Sequence, residues 1–516
     1  MVRTLPRYLA ILLTTTSILI SGCSTNPVTG RSELSLISER QELAIGQRQF
    51  MPAQQSAGGT YSVDTNLVRY VNNVGQRLAA VSDRDLPYEF VVINDSTPNA
   101  WALPGGKIAI NRGLLMALEN EAELAAVLGH EIVHAAARHG ARTMERAMLL
   151  EGVVTLTAAG LQDSEYSNYI IDGASVGAQM INHRYGRNAE LEADHYGMIY
   201  MARAGYDPSA AVSLQQKFVK LNAGRSETWL SGLFASHPPS TERVVQNKEQ
   251  ASLLSSQATR DWELGRDRFN NQLAYLADRR SAYEAFDQAR TLINEREASV
   301  AMSRINRAIK LEPKEPRFYG LRADISFAQE NFQQAITDYD KALDKDNSFY
   351  KFYLGRGLSH ARLGNRSQAR SDLEKSNSLL PTARATNELG HLSLADGNRD
   401  QAKQYFSAVA ATSGPLSQSA RQAFVRLDLA DNPAAYFRGQ AVLRDTTLVV
   451  IITNQSGLTT RDTVVQIRAS IDGQYRQIRR KIATMSPESQ ITISTGWQAD
   501  RTNLSEIDIR VIAAST

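Results

Sequence analysis

Residues 121–138 read EAELAAVLGHEIVHAAAR, a strongly helical stretch that contains His130-Glu131-Ile132-Val133-His134. A spacing of four puts both imidazoles on one helix face about a turn apart, as two ligands of one zinc ion must be. Glu131, one residue on, is rotated toward the side where an attacking water would sit. Its carboxylate can act as general base on a water whose pKa the metal lowers toward roughly 7. Two exposed histidines on an amphipathic helix are the plain alternative. A catalytic zinc also needs a third protein ligand and an open fourth position, and no further histidine follows at the short spacing some zincins use.

Downstream comes Arg187-Asn188-Ala189-Glu190-Leu191-Glu192-Ala193-Asp194, whose Glu190 lies 56 residues after His134. Here the chain resembles the zinc metallopeptidase family of the CAAX prenyl proteases, the HtpX-type heat-shock proteases, the mitochondrial Oma-type proteases and the periplasmic β-barrel assembly-enhancing type. That family joins H-E-x-x-H to a later E-x-x-x-D on a helix. The resemblance implies a mainly α, zincin-type peptidase domain with a small β-hairpin or sheet. It implies one Zn2+ per chain, with His130, His134 and Glu190 as metal ligands. Asp194 then orients a ligand histidine from one helical turn below Glu190. Glu192 is the rival carboxylate, turned to a different helix face. Arg187 either pairs with Glu190 or Asp194 or is a solvated arginine.

Two more segments fit the resemblance. Asn99-Ala100-Trp101-Ala102-Leu103-Pro104-Gly105-Gly106 resembles the hairpin before the active-site helix, whose edge strand would pair with an extended peptide. This assigns Asn99, Ala100 and Trp101 to substrate binding, against the reading of an ordinary hairpin. Ser236-His237-Pro238-Pro239 resembles the family's Ser-His-Pro-Pro segment. The resemblance implies for His237 a fourth, displaceable metal ligand or a transition-state contact, whereas a lone histidine in a Pro-rich loop is otherwise a surface residue.

Capping and periodicity place the remaining elements. Ser38 and Gln41 form a capping-box pattern that opens a helix to about Phe50. A second helix runs from Asp64 to about Val81, with Leu67, Val71, Val74 and Leu78 on one face. Phe90 to Ile93 reads as a buried strand. Further helices are predicted at Glu119 to His139, Thr143 to about Leu161, Asn188 to Ala204 and Ser209 to about Leu221.

From about Ser281 a period emerges, with Ala301, Ala335, Ala369 and Ala402 separated by 34, 34 and 33 residues. Ile305, Tyr339, Leu373 and Phe406 follow at +4, Ala308 and Ala342 at +7, and Pro313 and Pro381 at +12. The pattern resembles the tetratricopeptide repeat, an α-solenoid of paired helices with a concave binding groove. After Pro433, β-rich runs at Thr447–Thr453, Val464–Ile471 and Gln490–Ser494 are split by Asn454-Gln455-Ser456-Gly457 and Asp472-Gly473, as in a small all-β, sandwich-like domain. The expected order is therefore 1–22 signal segment, 23–37 tether, 38–255 peptidase, 256–281 helical connector, 282–428 repeats and 433–516 β domain.

The 516 residues suit about three domains. A hydrophobic share of 42% with 22% charged residues excludes a wholly disordered chain. A net charge of +3 supports no nucleic-acid partner. The single cysteine excludes an internal disulfide framework and a zinc site built from several cysteines. Arg3 and Arg7 precede an apolar run, Tyr8 to Ile20, that ends in Ser21-Gly22-Cys23. This resembles a bacterial lipoprotein box with Cys23 as the lipidation site and membrane anchor. Ser24 stands where inner-membrane retention wants Asp, which favours the outer membrane. The expected function is a zinc endopeptidase of the bacterial periplasm acting on unfolded or misassembled envelope proteins. Its repeats would bind those clients or the outer-membrane β-barrel assembly machinery. The rival readings are a chaperone-like assembly factor with a latent protease, and a peptidoglycan or lipid hydrolase.

Overall fold

The computed structural model describes residues 23–150, 184–223, 231–259, 261–500 and 502–516. The signal segment, and the part of the predicted Thr143–Leu161 helix beyond Leu150, lie outside these residues. The chain forms two compact units that divide after Pro381. The architecture is multidomain as expected: a mainly helical part with a small sheet, helical repeats, and C-terminal antiparallel sheets. No described helix is long and apolar enough to cross a membrane.

The first unit opens with an antiparallel ribbon, β1 (Cys23–Thr25) and β2 (Ser32–Leu34). The segment read as a tether is built into the fold. The Asn26 amide donates to the Ala137 carbonyl, and the Glu145 carboxylate accepts from the Leu36 and Ile37 N–H groups. Helix α1 (Glu39–Ala57) starts on the predicted Ser38–Gln41 capping box but continues past Phe50 through Pro52 to Gly58. Helix α2 (Thr65–Ala79) is capped by Asp64, whose carboxylate accepts from the Asn66 and Leu67 N–H groups. A mixed sheet follows: β3 (Glu89–Ile93), β4 (Ala100–Leu103) and β5 (Lys107–Asn111), in the order β3-β5-β4 with β3 parallel to β5.

After a short turn α3 (Arg112–Leu115) comes the fully buried helix α4 (Glu121–Ala136), then α5 (His139–Leu150). Helices α6 (Arg187–Ala204), α7 (Ser209–Ala223), α8 (Ser231–Ser236) and α9 (Thr241–Ser256) complete the part expected to be a peptidase. The predicted connector belongs to the same core. In α10 (Arg266–Asp278), Phe269, Leu273 and Leu276 join the cluster of α2 and α4, and Arg268 ion-pairs with Glu121 at the start of α4.

Paired helices continue as α11 (Arg280–Asn294) with α12 (Ala298–Leu311), α13 (Pro316–Ala328) with α14 (Phe332–Lys345), and α15 (Tyr350–Arg362) with α16 (Arg366–Leu379). The periodic alanines Ala301, Ala335 and Ala369 are fully buried in the second helix of each pair. Small residues admit the neighbouring ring: a Cβ at Gly355 would lie 2.1 Å from the Tyr339 ring. An ion pair repeats with the same 34-residue period, Arg322 with Asp338 at 2.7 Å and Arg356 with Asp372 at 2.7 Å. The repeats are docked on the peptidase part. Buried Glu315 accepts from the Asn94 amide at 2.9 Å and the Tyr283 hydroxyl at 2.8 Å, while the Gln55 amide donates to the Ser348 carbonyl.

The second unit contains α17 (Ala383–Ala395), α18 (Arg399–Ala410) and α19 (Pro415–Asp428), then two three-stranded antiparallel sheets, β10-β7-β6 and β11-β8-β9. Their strands are β6 (Phe437–Arg444), β7 (Thr447–Asn454), β8 (Thr460–Ile471), β9 (Gln474–Met485), β10 (Gln490–Gln498) and β11 (Leu504–Ser515). Val450, Ile452, Val465, Ile467, Ile493 and Val511 share one apolar core, so the sheets pack face to face. The predicted Asp472-Gly473 turn joins β8 and β9, both residues having positive φ.

Replacing Glu315 by Ala strands the Asn94 amide and the Tyr283 hydroxyl in the interface between peptidase and repeats. Denaturant titration is expected to show a loss of about 2–4 kcal/mol, the range for breaking a buried hydrogen-bonded network.

Candidate metal centre

Helix α4 is fixed at both ends. Asn120 caps its first turn, and Glu121 accepts from the Tyr70 hydroxyl at 2.7 Å, the Tyr206 hydroxyl at 2.9 Å and Arg268. At its C-terminus Arg138 turns left-handed, with φ 59°. Its guanidinium donates to Glu42, Ser35 and the Ile37 carbonyl. Midway, α4 crosses α6 with no side chain between the backbones: a Cβ on Gly129 would lie 3.2 Å from the Gly197 carbonyl oxygen. That close approach brings Glu190 of α6 to the histidines of α4.

The structure gathers His130, His134, Glu190 and His237, all buried, with one ligand-type atom from each within 4.8 Å of the others. His130 Nε2 lies 3.0 Å from His134 Nε2, 3.3 Å from His237 Nδ1 and 3.6 Å from Glu190 Oε2. Glu190 Oε1 lies 3.4 Å from His134 Nε2 and 3.1 Å from His237 Nδ1. A tetrahedral zinc site with bonds of about 2.1 Å has ligand–ligand edges of about 3.4 Å. The donor set and its spacing therefore fit such an ion. Beside it, Glu131 presents a buried Oε2 with no hydrogen-bond partner, and its Oε1 lies 3.5 Å from His237 Nε2.

Asp194, one turn after Glu190, contacts His130 Nδ1 at 2.9 Å and accepts two hydrogen bonds from Arg243, each 2.7 Å. Arg243 also lies 2.8 Å from Glu190 Oε2. Burial opposes ionisation of Asp194, yet Arg243 holds its carboxyl at about 2. Burial likewise opposes ionisation of Glu190, which His237 and His130 nevertheless hold well below the usual range. Burial pushes Glu131 up, and it pulls His134 and His139 below the usual imidazole value.

Several expected contacts differ. Arg187 pairs with Glu242, exposed on the surface, and with neither Glu190 nor Asp194. Glu192 does not join the cluster. It lies 3.0 Å from His139 Nε2, and His139 Nδ1 in turn lies 2.8 Å from His134 Nδ1. The three substrate-binding candidates separate by strand alternation. Ala100 lines a largely apolar cavity with His130, Glu131, Val127, Met198 and Phe218. Trp101 points to the other face, where its ring packs edge-on against Phe50 at 6.1 Å, so its side chain does not line the cavity. Asn99 precedes the strand; its backbone carbonyl accepts from the Asn111 N–H, and its side chain is also absent from the cavity. β4 remains the outer strand of its sheet. Cys23 begins β1, away from the cluster in sequence.

Sequence reading missed Arg243, His139 and Tyr185, which stacks on the His134 ring at 3.9 Å. Arg243 stands six residues after His237, and His139 five residues after His134, yet neither spacing declares a partner. Replacing Arg243 by Met leaves Asp194 and the buried Glu190 without their guanidinium. Competition with a chromophoric chelator is expected to show metal affinity lowered about 10- to 100-fold.

Residues 66–251 match Peptidase family M48, and residues 319–344 match SHNi-TPR. The chain is 35% identical over 183 residues to the mitochondrial metalloendopeptidase OMA1 of Schizosaccharomyces pombe, covering 35% of this chain and 52% of that one. It is 27% identical over 348 residues to the β-barrel assembly-enhancing protease of Yersinia pestis, covering 62% and 70%. With the putative β-barrel assembly-enhancing protease of Vibrio cholerae it shares 32% over 195 residues, 36% and 40% of the two chains. The chain thus spans about half the length of the fission-yeast relative and less of the Vibrio one. The matched families agree with the site and the helix pairs: the chain carries a peptidase family M48 domain followed by tetratricopeptide-type repeats.

Proposed function

We propose that the protein is a zinc endopeptidase of the bacterial cell envelope that cleaves misfolded or stalled outer-membrane and periplasmic proteins. The observation that carries this reading is the convergence of His130, His134 and Glu190 at tetrahedral spacing beside the unpartnered Glu131 carboxylate oxygen. Two imidazoles and a carboxylate suit zinc, which when bound polarises the scissile carbonyl as a Lewis acid. Glu131 Oε2 takes the proton of the attacking water and passes it to the leaving amine; its burial-raised affinity for a proton suits that exchange. Asp194 and Arg243 hold the His130 and Glu190 side chains in place. An extended client chain would lie along the outer edge of β4, by backbone pairing, with Ala100 beside the cavity.

The envelope assignment is supported by the arginine-flanked apolar segment ending at Cys23 and by relatives named β-barrel assembly-enhancing protease. In this reading Cys23 carries the lipid that anchors the chain to the outer membrane. The repeats bind clients or the β-barrel assembly machinery.

One observation favours a latent form of the same enzyme. His237 supplies a fourth donor atom 3.1 Å from Glu190 and 3.3 Å from His130, where a catalytic site keeps an open position. His237 would then have to swing away before a client carbonyl can enter.

Cleavage of an unfolded outer-membrane protein, measured with zinc present, tests the reading. Glu131→Gln is expected to keep the metal and lose cleavage by at least about a thousandfold, as general-base catalysis combined with a misplaced water requires. Retained proteolysis would refute the mechanism. His237→Ala should raise basal cleavage if the residue is a latch and lower it if it stabilises the transition state; an unchanged rate excludes both roles.

A further inference from the structure

We propose that His139 is a positioning residue for the metal ligand His134, set in its own hydrogen-bonding direction by Glu192. The inference rests on the reading that His134 is a metal ligand. The two ligand histidines are held differently. His130 Nδ1 faces a carboxylate, Asp194, and so has an acceptor of fixed sign. His134 Nδ1 faces another imidazole nitrogen, His139 Nδ1, at 2.8 Å. Between two such nitrogens only one proton can lie. If it belongs to His139, His134 carries its own proton on Nε2, the atom that faces His130 and Glu190, and cannot offer a lone pair there. If it belongs to His134, Nε2 is free to ligate.

Glu192 decides between these arrangements. Its carboxylate is an acceptor only and lies 3.0 Å from His139 Nε2, so that nitrogen is the donor. A neutral His139 that donates from Nε2 must accept at Nδ1. His134 therefore donates from Nδ1, and its Nε2 lone pair points into the cluster. The geometry is built into the chain. The left-handed turn at Arg138 ends α4 and returns His139 toward α4, leaving its side chain 1% exposed. Arg142, paired with Glu33, lies 3.5 Å from the same Glu192 oxygen and favours its ionised, acceptor-only form. Tyr185 stacked on the His134 ring restrains rotation about its plane.

Three replacements test this in the full-length chain. His139→Gln keeps an acceptor facing His134, whereas His139→Leu keeps bulk without one. Zinc affinity by chelator competition is expected to fall about 10- to 100-fold in His139→Leu and to stay within about threefold of the parent in His139→Gln. The visible spectrum of the cobalt-substituted chain should change only in the leucine variant. Equal losses in both, or none in either, would overturn the proposal. Should His139→Leu fail to fold, Glu192→Leu replaces it, since that side chain is 15% exposed. Its zinc affinity must fall, and an unchanged value overturns the proposal. Histidine-selective nitrogen NMR of the metal-free parent supplies a readout independent of metal: His134 protonated on Nδ1 and His139 on Nε2 are required, and the opposite pair refutes the inference. A parent chain that binds no zinc would instead refute the metal reading of the cluster, and this inference with it.

Discussion

Two helices can place an imidazole pair and a carboxylate on one ion only if their backbones nearly touch. Gly129 and Gly197 meet that requirement at the crossing of α4 and α6, directly before His130 and seven residues after Glu190. A Cβ at Gly129 would lie 3.2 Å from the Gly197 carbonyl oxygen and one at Gly197 3.1 Å from the His130 nitrogen, so a side chain at either position would press the two helices apart at the level of the ligands. The crossing also fixes the electrostatics. Glu131 and Glu190 are buried beside Asp194, whose side chain is 9% exposed, and one guanidinium, Arg243. Three carboxylates against one fixed cation leave an excess of acidic groups in the pocket. A divalent cation offsets that excess at the point where Glu190 and the histidine nitrogens converge.

The crossing needs a rigid surround, and much of it comes from segments outside the helices that carry the ligands. The ribbon β1–β2 and the strand-to-helix segment after it lean on the α4–α5 turn through Asn26, Arg138, Arg142 and Glu145. Helix α10 clamps the other end of α4 through Arg268. The first repeats seal β3 and α1 through Glu315 and Ser348. Removing the repeats would therefore expose buried polar groups of the peptidase part as well as delete the helix pairs themselves. A truncation that loses activity does not by itself show that the repeats choose the client.

How far the sequence disclosed this depended on the kind of interaction. The His130–His134 spacing is local, set by 3.6 residues per turn, and so was legible without any tertiary knowledge. The repeat alanines were legible because the same packing problem recurs every 34 residues, and each solution leaves a small buried residue. The strands β7, β8 and β10 showed as apolar runs, whereas β9 has few buried residues and reads as a charged loop, QYRQIRRKIATM. It is an outer strand of its sheet and needs only one apolar row, so its pattern carries little signal. The tether reading of 23–37 went wrong for a related reason. That segment is held by hydrogen bonds to partners more than a hundred residues away, and composition does not record them.

The polar residues around the ligands lie at the far limit of legibility. Helical spacing put Arg187 one turn from Glu190 and left it open as a partner of Glu190 or Asp194 or as a solvated arginine, while nothing in the sequence pointed to Arg243. The fold instead sends Arg187 outward to Glu242 and brings Arg243 in from α9, because Ser240 caps that helix immediately after the Pro238-Pro239 bend. His139 is similar: it belongs to neither the zinc motif nor its helix, and only the left-handed turn at Arg138 makes it a neighbour of His134. Spacing rules find ligands because the metal demands a common face. The groups that orient those ligands face no such demand, since any helix or loop that reaches the far ring nitrogen will serve. They are therefore found by asking of each buried ring nitrogen where its hydrogen bond goes, a question that only tertiary structure answers.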